Sequence, residues 1–295
     1  MAVGGLITGL SLGINSGVKG GLGLSNLRKG ILNGNTNGIF NNARMQNPLN
    51  LLGVKAPLIF YTADGIPIDL DGTNTSTSLT NLASGFNPLY ETSKATLTFN
   101  SATTPIPQNA VFNTKATVDH TTASKFITIS SSWNLAKQAS FTFVCKTMSN
   151  TTAVILQKGT SGASAIRISF EGGNRVQVSF TDASVNTINY ASSNGSIIIG
   201  QYYLITVILD YSKPQGNGSE VKIFINGKEN SSYVSGSFNG SSGDLFAETS
   251  TIGAIGSGTL GGTHIASSLV FEYGYSTIER IRIENYFRSY YGFNF

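Results

Sequence analysis

Charge is scarce in this sequence: Asp, Glu, Lys and Arg supply only 12% of its 295 residues, against the quarter or so usual in globular chains. Long runs of the helix formers Glu, Lys, Leu and Ala are missing with it. Ser, Thr, Asn and Gly fill the polar positions, and these favour strands and turns. Only one cysteine is present, Cys145. No internal disulfide can form, so the fold does not depend on an oxidising compartment. Cys145 continues the apolar run that begins at Phe141 and reads as a buried, inert thiol. With two histidines, His120 and His264, beside that one cysteine, a zinc site is not expected. Asp119-His120 reads as a loop pair, and His264 falls in a Gly/Thr turn.

Other absences narrow the function further. No serine sits in a G-x-S-x-G elbow. The glycine-rich start lacks the Lys-Ser/Thr ending and preceding strand of a phosphate-binding loop, so no nucleotide cofactor is expected. No stretch stays apolar for the roughly 18 residues of a membrane helix, which excludes membrane insertion by that route. The opening MAVGGLITGLSLGINSG has no basic residue before Lys19, unlike a secretory signal. Synthesis in a host cytoplasm without ordinary secretion is expected, which is compatible with reaching the outside on the capsid surface or tail of a virus particle.

The chain is uneven along its length. No Asp or Glu precedes Asp64, whereas Lys19, Arg28, Lys29, Arg44 and Lys55 do. Residues 1–55 also carry repeated glycine patterns: GGLITGLSLG, GVKGGLGLS and GILNGNTNG. Glycine at this density raises the entropy cost of ordering and offers no side chains to a core. Leu, Ile and Val are nonetheless spaced through the segment, with short helices expected over 24–32 and 38–45. It reads as an arm that orders against other subunits, with Lys19, Arg28, Lys29 and Arg44 as its assembly contacts. The plainer alternative is a disordered tail. No stacking aromatics accompany these cations, so nucleic acid is not the expected partner.

Residues 56–295 read differently. Segments such as KFITIS, SFTFVCKTM, AIRISF, RVQVSF, YYLITVILDY and EVKIFING succeed one another. In Arg175–Phe180, Val176, Val178 and Phe180 alternate onto one face. Gly- and Asn-rich turns separate the segments, among them Glu171-Gly-Gly-Asn174, Ser193-Asn-Gly195 and Asn226-Gly227. Asn226-Gly227 suits a type I′ hairpin turn, a structural role rather than a ligand contact. Many strands with regular turns predict an all-β sandwich or barrel. One helix should close the chain. Ser276 and Glu279 form a capping box, Ile278, Ile281, Tyr286 and Phe287 supply an apolar face, and Gly292 ends it.

The order of these pieces resembles the laminin-G/concanavalin A-like domain. Phe141-Thr-Phe-Val, Ile155-Leu-Gln-Lys-Gly159 and Ala165–Phe170 match its early strands. Gly200-Gln-Tyr-Tyr-Leu-Ile-Thr-Val-Ile-Leu-Asp210 is similar to its "G-x-W-Y-H" strand, with Tyr202 in place of Trp and Leu204 in place of His. Val221–Lys228 matches the Asn-Gly-Lys hairpin, and Thr251-Ile-Gly-Ala254 the following strand. The Ser276–Gly292 helix resembles the ending of such domains in phage and bacterial surface proteins. The resemblance implies an antiparallel jelly-roll sandwich with a capping helix, preceded here by the glycine-rich arm.

That fold also serves glycoside hydrolases, which need two carboxylates about 5 Å apart for the retaining reaction. No strand here carries an alternating acidic motif, so catalysis is not expected. Asp69 and Asp71 are candidate calcium ligands, set against the simpler reading of a solvated turn. Trp133 and Tyr233 are candidate platforms for stacking on sugars, although a lone Trp in a β-protein more often belongs to the core. The leading expectation is a non-enzymatic bacteriophage virion protein: a head fibre, capsid decoration or tail-fibre component. It would dock on capsid or tail proteins through its arm and display the sandwich for adhesion to host glycans. A homo-oligomer, a trimer above all, suits that role by analogy. The alternative is a stand-alone bacterial lectin or adhesin.

Overall fold

The computed structural model describes residues 57, 59–62, 78–79, 96–99, 104–106, 117–120, 127–130, 138–158, 166–181, 187–210, 221–235, 253–257 and 262–295. The arm (1–55), with the four cations expected as assembly contacts and the two expected helices, lies outside these residues, as do Asp69, Asp71 and Trp133.

The first six strands are β1 (Ile59–Thr62), β2 (Ser78–Leu79), β3 (Thr96–Phe99), β4 (Thr104–Ile106), β5 (Thr117–His120) and β6 (Ile127–Ser130). Longer ones follow: β7 (Gln138–Thr147), β8 (Ala153–Lys158), β9 (Ile166–Glu171), β10 (Arg175–Thr181), β11 (Thr187–Ala191) and β12 (Tyr203–Asp210). The last are β13 (Val221–Ile225), β14 (Lys228–Glu229), β15 (Ser232–Ser235), β16 (Gly253–Ser257) and β17 (Thr263–Phe271), before the helix α1 (Thr277–Tyr291). They form two antiparallel sheets, the all-β sandwich with a C-terminal helix that the sequence predicts. The first sheet runs β14-β13-β12-β7-β17-β5-β4, and the second runs β15-β11-β10-β9-β8-β16-β6-β3-β2. In the first sheet, β1 and β5 share one edge of β17 end to end: β5 pairs with Thr263–Ile265 and β1 with Ser267–Val270.

Alternation builds the core between the sheets. Phe141, Phe143 and Cys145 of β7 and Tyr203, Ile205, Val207 and Leu209 of β12 meet Ile166, Ile168, Val176, Val178 and Phe180 of the second sheet. The Phe141 and Phe143 rings stack with centroids 6.5 Å apart, and those of Phe180 and Tyr190 6.3 Å apart. The other face of the first sheet is buried as well. Val144, Leu204, Leu269 and Phe271 pack there against Ile283, Tyr286, Phe287 and Tyr291 of α1. Strands covered on both faces need no polar alternation, which explains why Ala139–Thr147 of β7 and Tyr203–Val207 of β12 are buried residue after residue.

The helix starts and stops where its caps dictate. Ser276 accepts from the Glu279 backbone N–H, and the Glu279 carboxylate accepts in return from the Ser276 N–H. Gly292, at φ 71°, takes the left-handed conformation that glycine adopts without strain and ends the helix. Its buried face differs from expectation. Tyr286 and Phe287 are buried, but Ile278 and Ile281 are 63% and 44% exposed. At about 100° per residue, the face of Ile283, Phe287, Tyr290 and Tyr291 lies opposite Ile278 and Ile281. The larger aromatics of the C-terminal half take the sheet. Arg280 fixes the other end, stacking its guanidinium 4.1 Å from the Phe224 ring centroid and pairing with Glu284.

Candidate binding surfaces

The second sheet leaves a polar face outward. Because Val176, Val178 and Phe180 turn into the core, the period-2 geometry of a strand turns Arg175, Gln177 and Ser179 away from it. Register then sets Asn189 of β11 opposite Ser179. The Asn189 side-chain oxygen accepts from the Ser179 hydroxyl and, at 3.4 Å, from the Gln177 amide. Its amide nitrogen donates 3.3 Å to the Ser235 hydroxyl across β15. Arg175 in turn donates to Gln177 at 3.5 Å. Amide and hydroxyl groups thus run across three adjacent strands in one hydrogen-bonded row. Such groups can each donate and accept, which matches the chemistry of a hydroxyl-rich ligand.

Glu171, on the same sheet, accepts from the hydroxyls of Thr152 at 2.6 Å and Ser169 at 2.7 Å, and pairs with Arg167 at 3.4 Å. A carboxylate tied this way serves the sheet. Among the described residues no group of three or more His, Cys, Asp or Glu side chains is placed to hold a metal.

Tyr233 lies on β15 and is 44% exposed, as a stacking platform requires. A bulge between Asn189 and Tyr190 sets it opposite Tyr190, whose ring it meets edge-on at 5.7 Å. Since Tyr190 points into the core, Tyr233 caps the core margin and lies on the other side of β15 from Asn189 and Ser235. The two histidines also differ from expectation. They belong to strands, not loops: His120 to β5 and His264 to β17, where Thr263 pairs with His120 and His264 with Asp119. Both are buried. Burial pushes the Cys145 thiol far above its ordinary range, consistent with an inert thiol.

One end of the sandwich is closed by residues 192–202. The Gly195 N–H donates 2.8 Å to Gly173 O in the β9–β10 turn, and the Gly200 N–H 2.8 Å to Thr147 O at the end of β7. The segment therefore bridges the two sheets. Ile197 plugs the core beneath it, while Ile198 and Ile199 stand 63% and 43% exposed. Met148, 42% exposed, joins them from the β7–β8 loop, held by its N–H to Gly262 O at 2.8 Å.

Sequence reasoning named Tyr233 and missed Gln177, Ser179, Asn189 and Ser235. Their signal was the polar half of the alternation that revealed the core.

No family model matches the chain, and no curated protein sequence matches it. Solved structures with a similar fold are found. A botulinum neurotoxin serotype D ligand-binding domain in complex with N-acetylneuraminic acid aligns with a TM-score of 0.50 and 10% identity, over 78% of this chain and 50% of its own. The receptor-binding domain of botulinum neurotoxin D aligns with a TM-score of 0.50 and 11% identity, over 81% and 53% respectively. That of the C/D mosaic serotype gives 0.50 and 11%, over 78% and 51%. The chain thus spans about half the length of each. The likeness is one of fold: a two-sheet β-sandwich.

Proposed function

We propose that this chain is a non-catalytic adhesion protein whose sandwich recognises glycans through the outward face of β10, β11 and β15. The carrying observation is the row formed by Gln177, Ser179, Asn189 and Ser235, which presents amide and hydroxyl groups on a rigid sheet. The likeness to a sandwich-containing domain crystallised with N-acetylneuraminic acid supports this reading, as does the engagement of Glu171 in purely structural bonds. We further propose that the protein is carried on a bacteriophage particle, as a homo-oligomer anchored to capsid or tail proteins by residues 1–55. The sandwich is then the displayed part.

Two measurements test these statements separately. On a broad glycan array the intact protein should bind a restricted set of glycans. Asn189→Ala with Gln177→Ala should weaken that binding at least tenfold while leaving the unfolding midpoint within a few degrees. Binding unchanged in the double variant would remove the site; no binding to any glycan would remove the function. Immunoblotting of purified particles tests the virion setting, and a chain missing from them would end it.

A further inference from the structure

Arg175 keeps a charge that no described carboxylate answers. The charged residues of β9, β10, β11 and β15 are Arg167, Glu171 and Arg175. Register sets Glu171 opposite Arg175, yet the Glu171 carboxylate is engaged by Arg167, Thr152 and Ser169. One positive charge is left over on this face, and it belongs to Arg175.

The Arg175 guanidinium is also under-used as a donor. Its two terminal nitrogens reach only neutral amides, Asn194 on one side and Gln177 on the other, each at 3.5 Å. Both contacts are longer than the roughly 2.7–3.2 Å of ordinary N–H···O bonds. Its Nε has no hydrogen-bond partner among the described residues. Arg167 and Arg280, which serve the fold, each close on a carboxylate instead.

Position gives the spare charge a use. Arg175 opens β10 beside the β9–β10 turn, two residues from Gln177 and four from Ser179, or about 7 Å and 13 Å along the strand. The row of amides and hydroxyls therefore has a cation at one end. A neutral glycan leaves that cation unanswered. A sugar carboxylate or sulfate meets it, and the planar guanidinium fork can hold such a group through two parallel bonds. A long polyanion such as nucleic acid is a poorer match, because its affinity grows with the number of phosphates neutralised.

We propose that the outward face of β10, β11 and β15 selects acidic glycans. Arg175 holds the carboxylate or sulfate near the β9–β10 turn, and Gln177, Ser179 and Asn189 take hydroxyls further along. This specificity rests on the glycan reading of the face. Its test is an array pairing sialylated, uronic acid-containing and sulfated glycans with their neutral counterparts. The intact protein should bind an acidic member about tenfold or more above its counterpart, as a charge-assisted bond allows, and high salt should erode the difference. Whichever acidic group shows it identifies the source of the anion. Arg175→Gln should abolish the preference, and Arg175→Lys should retain part of it, keeping the charge without the fork. Lys222→Gln removes the same charge from an exposed position on β13 of the other sheet and should leave the preference intact. Circular dichroism and unfolding midpoints should match the parent in all three. Equal binding of acidic and neutral members overturns the specificity and leaves the glycan face standing, as does a preference that survives Arg175→Gln. A fall just as large in Lys222→Gln also overturns it, since net charge is then the cause. Binding to no glycan at all removes the glycan reading and the specificity with it.

Discussion

Asn226 offers a sharp test of how this sandwich is held, because two separable costs meet at one side chain. Its backbone has φ 52° and precedes Gly227 at φ 80°, the pair of positive angles that a two-residue hairpin turn demands. Its side-chain oxygen accepts at 3.0 Å from the N–H of Leu204, a residue with no exposed surface. Asn226→Ala removes the acceptor and strands that N–H, at about 1–3 kcal/mol. It also forces a Cβ-bearing residue without a local hydrogen bond into left-handed space, at about 1–2 kcal/mol. The sum is about 2–5 kcal/mol. Asn226→Gly loses the acceptor without the strain and should be milder by about 1 kcal/mol, despite glycine's greater freedom in the unfolded chain. Asn226→Asp keeps an acceptor and tolerates the angle, and should stay within about 0.5 kcal/mol. Equilibrium urea unfolding followed by circular dichroism ranks the three. The expected order of stability is Asp above Gly above Ala. An alanine variant as stable as the parent, or an aspartate variant as damaged as alanine, refutes the assignment of the turn's stability to that acceptor and that angle.

Other consequences follow from burial. Phe287→Ala deletes a fully buried ring that meets Phe60 edge-on at 6.5 Å and stacks on Tyr291 at 6.2 Å. It should cost about 3–5 kcal/mol, and limited proteolysis should then cut within α1 before the sandwich. Alkali should destabilise the protein. Burial raises the pKa of Cys145, Tyr202 and Tyr275, so the folded state holds protons that the unfolded state releases from about pH 9 upward. Stability is then full below that pH and falls as it rises. Lys146, whose pKa burial lowers, acts in the opposite sense but is one group against three. Unfolding midpoints from pH 7 to pH 11 should show the decline, with Cys145→Ala reducing its slope; a flat profile contradicts it. In native protein at pH 8, Cys145 should resist a thiol reagent and react fully only in denaturant.

Much of this architecture was legible because its signals are local. The alternation in Arg175–Phe180 states which side chains enter the core, and Asn226-Gly227 states where a hairpin turns. The capping box at Ser276 and Glu279 and the glycine at 292 fixed both ends of α1. The helix face was misread because local periodicity does not say which apolar stripe a sheet will select. Ile278 and Ile281 form one plausible stripe, and Ile283, Phe287 and Tyr291 another. Phe60, Leu269 and Phe271 are brought to the second by pairings distant in sequence. The histidines misled for a similar reason. Gly and Thr around His264 suggest a turn, but β7 and β5 flank Thr263–Ile265 on both sides and draw it into the sheet.

The same asymmetry decides which sheet keeps polar groups outward. The first sheet gives one face to the core and the other to α1, so its central strands β7, β12 and β17 present backbone ends and little else. Among the described residues no helix packs on the outward side of β10 and β11, where Gln177, Ser179 and Asn189 are half-buried, while Val176, Val178 and Phe180 hold the strand in place from the core side. Side chains on that face can therefore be altered without loosening the core, since each is separated from it by the thickness of the sheet. The closed end of the sandwich obeys a related logic. Ile197 is fully committed to the core beneath the loop, and that anchorage lets Ile198 and Ile199 project on a segment tied to both sheets. A substitution at Ile197 should thus disturb stability and the closed end together, whereas one at Ile198 or Ile199 should disturb its exposed surface alone.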